Sequence, residues 1–189
     1  MIYSQNNSDR YSPLLETKFH ESHHKSSYIT MDSRCDSEEK ACCITGHRDI
    51  PQEKRLKIEA AIRAEIRAAI ADGYSRFISG FADGSDLMFA SIVVELKKKM
   101  PNLWLEAAIP YTGRVRSLKR DFLDLMAACD SVKIISAQYT RDCFHARNRY
   151  MVEKSSRVIA VYDGRERGGT VYTMHYANKL GRELRVILV

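Results

Sequence analysis

Short apolar runs alternate with longer amphipathic stretches from residue 41 to the end of the chain. Several of the short runs are continuously apolar, which is typical of parallel strands covered on both faces. The predicted strands are Ala41–Thr45, Arg76–Ser79, Leu103–Ile109, Ser131–Ser136, Arg157–Tyr162 and Arg185–Val189. The pattern therefore predicts a mainly parallel sheet of about six strands.

Helices are predicted between these strands. The first begins at Pro51, ends at Asp72 and carries an isoleucine at every fourth position from Ile58 to Ile70, which forms one apolar stripe. The other predicted helices are Ser85–Lys99, Val115–Ala128, Arg141–Lys154 and Thr170–Leu180. Because strands and helices alternate and crossovers are right-handed, the fold class is predicted to be α/β, a Rossmann-like three-layer domain with helices on both faces of the sheet.

Residues 1–39 lack this pattern and are rich in Ser, His, Asn, Asp and Lys. Such a composition buries too little apolar surface to fold by itself. We therefore expect a disordered or loosely packed N-terminal extension at 1–39 and a folded domain at 40–189. The extension carries His20, His23 and His24, but without a rigid scaffold they are not expected to form a metal site.

The bulk composition is that of an ordinary globular protein, with 189 residues, 44% hydrophobic and 29% charged. No apolar run approaches the roughly 18–20 residues of a membrane span, and the N-terminus has no signal-peptide core, so we expect a cytoplasmic protein without a membrane partner. Five cysteines without a CxxC pair predict neither a disulfide framework nor a zinc site. The net charge of +6 permits an anionic partner without requiring one.

Loops after the first, second and fifth strands carry glycines together with polar residues. Ligands of a parallel sheet bind outside the carboxyl ends of its strands, so these loops hold the candidate ligand-binding residues. The candidates there are Thr45, Gly46, His47, Arg48, Ser79, Gly80, Asp83, Gly84, Asp86, Asp163, Gly168, Gly169 and Thr170. Each loop alone is also compatible with a purely structural turn, but three glycine loops at one sheet edge favour a site for a nucleotide-like anion.

The first and last of these loops suit phosphate. Gly46 lets the backbone turn tightly, the next helix start offers free N–H groups, and Arg48 would add a charged fork. The Gly168–Thr170 turn opens a helix and would form a phosphate cradle with a hydroxyl donor. No metal or cofactor is predicted, although Mg²⁺ would be able to arrive with a phosphate ligand.

The second loop is open to two interpretations. Asp83 or Ser85 is expected to cap the following helix, since both residue types favour that position, and Asp86 would interact with the helix dipole. Alternatively, Asp83 or Asp86 binds a ribose hydroxyl or acts in acid–base chemistry. These two aspartates are the candidate catalytic residues, and whether the protein is an enzyme stays open.

Further candidates are Tyr111, which follows the third strand and would stack on a base or simply pack, and the Arg147-Asn148-Arg149 run. On one helix Arg147 and Arg149 diverge by about 200°, so they cannot both face one ligand. We expect one arginine to reach the pocket, with Asn148 as a further ligand-binding candidate, and the other to pair on the surface.

Four segments in this order resemble the SLOG superfamily, and most closely its YpsA-like branch. They are CCITGHR (Cys42–Arg48), ISGFADGSD (Ile78–Asp86), ARNRYMVEKSSRVIAVYDG (Ala146–Gly164) and GGT (Gly168–Thr170). The superfamily is Rossmann-like and includes DNA-processing protein A and the lonely-guy phosphoribohydrolases, so the resemblance implies the same fold over essentially residues 41–189. By analogy with such domains, a homodimer is expected.

The two groups of relatives imply different functions. DNA-processing proteins bind single-stranded DNA with a similar surface, which would place Arg147 and Arg149 against a nucleic-acid backbone. Lonely-guy enzymes use an arginine that Arg147 matches and a glutamate after their GGxGT turn. Here Val171-Tyr172-Thr173-Met174 follows the turn, and neither Glu153 nor Glu166 matches the motif, which argues against that activity.

The sequence thus favours binding or sensing of a nucleotide or nucleotide-derived small molecule at the carboxyl edge of the sheet. One alternative is a nucleotide-processing hydrolase acting on an N-glycosidic or phosphate bond. The other is single-stranded nucleic-acid binding.

Overall fold

A computed structural model describes residues 40–116 and 120–189, so the predicted extension at 1–39 lies outside the described residues. The described strands form one sheet in the order β4-β3-β2-β1-β5-β6, and every pair in it is parallel. The strands are β1 Ala41–Gly46, β2 Arg76–Ser79, β3 Trp104–Tyr111, β4 Ser131–Ser136, β5 Arg157–Tyr162 and β6 Glu183–Leu188. The prediction of a parallel sheet of this size is confirmed.

Helices cover both faces of the sheet. They are α1 Arg55–Ala71, α2 Ser85–Lys97, α3 Thr112–Arg116, α4 Arg120–Ala127, α5 Cys143–Glu153 and α6 Gly169–Lys179. The helices α1 and α2 pack together on one face, where α4 contacts α2, while α5 and α6 pack together on the other. The three-layer α/β architecture is therefore confirmed. None of the helices in the described part of the chain is both long and apolar enough to cross a bilayer.

Most helix ends differ from the prediction by one or two residues, and the starts of α1 and α3 differ by more. Pro51 has a ψ of 136°, which is not helical, so the chain first forms a short 3₁₀ helix at Gln52–Lys54 and α1 begins at Arg55. The helix predicted at Val115–Ala128 corresponds to α3 and α4, and residues 117–119 between them lie outside the described residues.

The core is built from the stripes that the pattern predicts. Ile58, Ile62 and Ile66 of α1 are buried. On the other side of the sheet, Cys43 packs with residues of β2, β5 and α5. Cys42, Cys43, Cys129 and Cys143 are all buried, so their small side chains contribute to the core.

The strand order places a topological switch point beside β1. From β1 the chain proceeds to β2 on one side, and after β4 it returns to β5 on the other side. The loops that leave β1 and β5 therefore run toward opposite faces of the sheet and leave a crevice between them, where ligands of open α/β sheets bind.

Candidate ligand-binding site

A cavity of about 260 Å³ lies at this switch point. Its walls come from the loop after β1, the loop before α2, the first turns of α5 and the amino end of α6. The structure brings nine of the sequence-predicted ligand-binding residues to its lining: Thr45, Gly46, His47, Arg48, Asp86, Arg147, Asn148, Gly169 and Thr170. Loops that are more than a hundred residues apart in the chain thus meet at one cavity.

The other predicted residues lie outside the lining, which does not include Ser79, Gly80, Asp83, Gly84, Tyr111, Asp163 or Gly168. Ser79 donates a hydrogen bond to the lining residue Asp86, and Gly80 lies against the side chain of Arg147. Asp83 is exposed, and its Oδ2 lies 4.0 Å from Nη2 of Arg114. Tyr111 packs against other aromatic rings, and Asp163 contacts His47.

Arg147 and Asp86 form a buried ion pair in the cavity wall, with Nη1 3.2 Å from Oδ2. The same Asp86 oxygen accepts a hydrogen bond from the backbone N–H of Ala82 at 3.2 Å. Burial raises the pKa of Asp86 and lowers the pKa of Arg147, while each charge opposes the effect of burial on the other. Nε of Arg147 is buried and has no hydrogen-bond partner among the described residues, so this cation is only partly compensated.

The loop after β2 holds Asp86 in this position. Ser79 Oγ donates to the backbone oxygen of Asp86 at 2.8 Å and accepts from the N–H of Phe81 at 3.3 Å. Phe81 has a φ of 50°, which is unusual for a bulky residue and is maintained here by complete packing of its ring. Gly80 is required because a Cβ there would lie 1.4 Å from Nη1 of Arg147.

The prediction that Asp83 or Ser85 caps α2 is wrong. The N-cap is Gly84, with φ 79° and ψ −122°, and no side chain caps this helix. Ser85 Oγ instead donates to the backbone oxygen of His47 at 3.4 Å, and a Cβ at Gly84 would lie 2.4 Å from the same oxygen. The Ser85 hydroxyl therefore binds an acceptor in the loop after β1 and does not cap the helix, although serine favours the capping position.

His47 is held by Asp163 at the edge of the cavity. Its Nε2 lies 2.8 Å from Asp163 Oδ1 and 3.3 Å from the Asp163 backbone nitrogen, whose N–H donates to it. Burial lowers the pKa of His47, and the Asp163 carboxylate opposes this effect. The guanidinium of Arg165 binds that carboxylate and lowers its pKa to about 2. The Asp163 side chain is thus occupied by two protein groups.

The amino end of α6 borders the cavity at Gly169 and Thr170. Its N-cap is Gly168, and no side chain caps it. Asn148 Nδ2 donates to Thr173 Oγ1 at 2.9 Å, and that hydroxyl donates to the Gly169 oxygen at 2.7 Å. These bonds fix the first turn, whose free amides and positive dipole end favour an anion.

Arg149 lies away from the cavity. Its guanidinium donates to Asp142 Oδ2 at 2.6 Å and to the Tyr172 hydroxyl at 3.0 Å. The angular separation on the helix therefore predicted correctly that one arginine of the run enters the pocket and the other pairs elsewhere.

Sequence reasoning missed five polar, aromatic or small residues of the lining: Asp49, Ala82, Phe144, His145 and Arg165. Phe144 precedes Arg147 by three positions and Asn148 by four, so helix periodicity could have placed it on the same face. Arg165 follows β5 in the loop that the prediction already assigned to the site. With Arg48 and Arg147 it places three arginines around the cavity against two aspartates. No cluster of three or more His, Cys, Asp or Glu side chains that could hold a metal ion occurs in the part of the chain that the structure describes.

Comparison with known protein families shows which family this chain belongs to. The family model of the YspA SLOG family, YpsA, matches residues 42–186. The chain belongs to this family. Among curated relatives of this SLOG protein are UPF0398 proteins of Bacillus thuringiensis (strain Al Hakam) and Bacillus cereus (strain Q1). Each is 27% identical to it over 130 residues, covering 66% of this chain and 71% of the relative.

Solved structures show the same fold. DNA processing protein A from Streptococcus pneumoniae matches with a TM-score of 0.56 and 18% identity, covering 78% of this SLOG protein and 50% of its own chain. DNA processing protein A from Helicobacter pylori, described for its single-stranded DNA binding mode, matches with a TM-score of 0.57 and 17% identity. The match covers 78% of this SLOG protein and 65% of the Helicobacter pylori chain. The chain thus spans half of the first and just under two thirds of the second. Identities this low establish the fold alone.

Proposed function

We propose that this SLOG protein binds a nucleotide or a nucleotide-derived small molecule, with a phosphate of the ligand in the cavity at the switch point. The observation that carries the proposal is a convergence: the glycine loop after β1, the amino end of α6 and Arg147 all border this cavity. Helix amides and a partly compensated guanidinium are complementary to phosphate. Their positions are already fixed by hydrogen bonds within the protein, so binding requires little ordering.

Binding or sensing is favoured over hydrolysis. Asp83 lies outside the cavity, and Asp86 is engaged by Arg147 and Ala82, so neither candidate carboxylate stands free beside a bound ligand. No metal is required by this proposal, although a phosphate ligand would be able to bring Mg²⁺ with it. A cytoplasmic location and a homodimer are further parts of this proposal.

A small molecule is also favoured over a nucleic-acid strand. Of the two arginines that the family resemblance assigns to a nucleic-acid backbone, only Arg147 reaches the cavity, and Arg149 is engaged by Asp142 and Tyr172. The fold of DNA processing protein A makes the alternative worth testing directly.

The test compares melting temperature and calorimetric affinity for AMP, ADP-ribose, ribose 5-phosphate and a single-stranded oligonucleotide. We expect a nucleotide to raise the melting temperature and to be recovered intact. Arg165→Gln should weaken binding about two- to fivefold, whereas Arg185→Gln should not. The two arginines are a matched pair, since their side chains are 50% and 47% exposed and each pairs with a carboxylate, but only Arg165 lines the cavity.

Three results would contradict the proposal. If no nucleotide changes the melting temperature, the cavity is not a nucleotide site. Release of base or phosphate that is lost in Asp86→Asn would support the hydrolase. Oligonucleotide binding that exceeds mononucleotide binding and falls steeply with salt would support nucleic-acid recognition.

A further inference from the structure

We infer that the ligand carries a nucleobase, or a similarly planar ring, which stacks on the exposed ring of an aromatic cluster beside the cavity. This inference rests on the proposed function and specifies the chemical class of its ligand. The aromatic cluster consists of Tyr111 at the carboxyl end of β3, Tyr139 after β4 and Phe144 in the first turn of α5. All three therefore lie at the sheet edge that holds the cavity.

The rings of the aromatic cluster fix one another. The centroid of Tyr111 lies 5.4 Å from that of Tyr139 and 6.3 Å from that of Phe144, with interplanar angles of 79° and 89°. The centroids of Tyr139 and Phe144 are 6.5 Å apart. These are the edge-to-face arrangements that aromatic pairs prefer, so the orientations are set before any ligand arrives.

Tyr139 is 61% exposed even though it belongs to this cluster. Isolated exposed aromatics are common on protein surfaces, but one supported by two further rings presents a rigid apolar face to solvent. A rigid aromatic face accepts a planar ring at low cost in conformational entropy.

Phe144 and Arg48 connect the aromatic cluster to the proposed phosphate site. Both line the cavity, together with Gly169 and Arg147. Cζ of Arg48 lies 5.3 Å from the centroid of the Phe144 ring, so the cation is held against the cluster. One ligand can therefore contact the helix amides of α6 and the aromatic cluster at the same time.

The size of the cavity bears on which part of the ligand lies inside it and which part lies outside. At about 260 Å³ it falls below the roughly 300–1,000 Å³ of pockets that enclose small organic ligands. We therefore place the phosphate and sugar of a nucleotide in the cavity and its base outside. The aromatic cluster provides the adjoining surface on which the base would lie.

The positive charge of Arg48 beside the cluster favours a neutral planar ligand over a cationic one. Aromatic clusters also bind quaternary ammonium groups, but Arg48 would repel such a cation. A neutral planar base is attracted both to the ring faces and to the guanidinium plane. The combination of aromatic rings, an arginine and an adjacent anion site therefore fits a nucleotide better than a sugar phosphate without a base.

The test compares AMP with ribose 5-phosphate, which lacks the base, by calorimetry on the full chain. We expect the unmodified protein to bind AMP more tightly. Tyr139→Ala should weaken AMP binding about 5- to 150-fold and leave ribose 5-phosphate binding unchanged, since a stacked base contributes this much. Tyr139→Phe should retain the affinity for AMP. The control is Trp104→Ala, an aromatic with 41% exposure at the amino end of β3, which should change neither affinity.

Tryptophan fluorescence gives an independent readout. Trp104 is the single tryptophan of the chain, so Trp104→Phe combined with Tyr139→Trp places the one indole in the aromatic cluster. AMP should quench its emission by stacking, and ribose 5-phosphate should not.

The outcomes separate this inference from the proposed function. Equal affinities of the unmodified protein for AMP and ribose 5-phosphate would overturn base stacking and leave the phosphate site supported. An equal loss of affinity for AMP and for ribose 5-phosphate in Tyr139→Ala would also overturn base stacking. If neither ligand binds the unmodified protein, both proposals fail.

Discussion

Nη1 of Arg147 and Oδ2 of Asp86 meet 3.2 Å apart beyond the strand ends, where they join α5 to α2 across the two faces of the sheet. Both side chains are buried, and both line the candidate site. Gly80, directly after β2, leaves the space that the pair occupies. The stability of the domain and the electrostatics of the site therefore depend on the same contact.

Replacing Arg147 with Met should destabilise the domain by about 3–5 kcal/mol, because it leaves Asp86 buried without its counter-charge. Adding Asp86→Asn should recover much of this loss, since the amide removes the charge and still accepts from the Ala82 N–H. Urea unfolding monitored by circular dichroism measures both free energies of unfolding. A double variant no more stable than Arg147→Met would show that lost packing dominates the effect of the charge.

Gly84→Ala should be one of the most damaging small substitutions in the domain. A φ of 79° with ψ −122° costs a non-glycine residue about 1–3 kcal/mol, and the new Cβ would lie 2.4 Å from the His47 backbone oxygen. Gly164→Ala is the matched control, since φ is 88° there but no atom lies within 4 Å of a new Cβ. Thermal unfolding should show a clearly larger decrease in melting temperature for Gly84→Ala. Equal decreases would mean that the loop after β1 moves to make room for the new Cβ.

The architecture could be predicted because it depends on patterns within short stretches of the sequence. Alternating apolar runs fix parallel strands, and parallel strands bring their following loops to one edge. For that reason Gly46 and Gly169 both border the cavity, although 123 positions separate them along the chain. The angular separation of Arg147 and Arg149 is likewise a property of a single helix.

Contacts between distant loops could not be predicted in this way. Local preference makes Ser85 a helix cap, yet its hydroxyl donates to His47, 38 positions earlier. Phe81 adopts a positive φ that its own side chain disfavours, because tertiary packing holds it there. Of the aromatic cluster, the sequence predicted only Tyr111 as a candidate. Tyr139 and Phe144 were missed because they belong to other parts of the chain that only folding brings beside it.

The pKa of His47 should lie below 6.5 in the folded protein, because burial disfavours the charged imidazole. As pH falls below 6.5 the unfolded chain then binds a proton that the folded chain does not. The stability contributed by His47 is therefore present above this pH and lost as pH falls from 6.5 toward the folded pKa. An NMR titration of the imidazole measures the midpoint directly.

Two variants test the causes of this shift. Asp163→Asn should lower the His47 pKa further, since the carboxylate opposes the effect of burial. In His47→Gln, stability should decline less than in the unmodified protein between about pH 7 and pH 5. A midpoint at or above 6.5, or identical pH dependence in both proteins, would refute the assignment.

Gly169→Asp should separate stability from ligand binding. A Cβ at this position would meet only Asn148 Nδ2, at 3.8 Å, so a side chain can start there without a clash. A carboxylate in the first turn of α6 interacts favourably with the helix dipole. The same carboxylate would repel a phosphate from the cavity. Relative to Gly169→Asn, the neutral control of equal size, we expect an equal or higher melting temperature and binding of AMP weakened at least about tenfold. Equal AMP affinities of the two variants would mean that the phosphate does not approach this helix end.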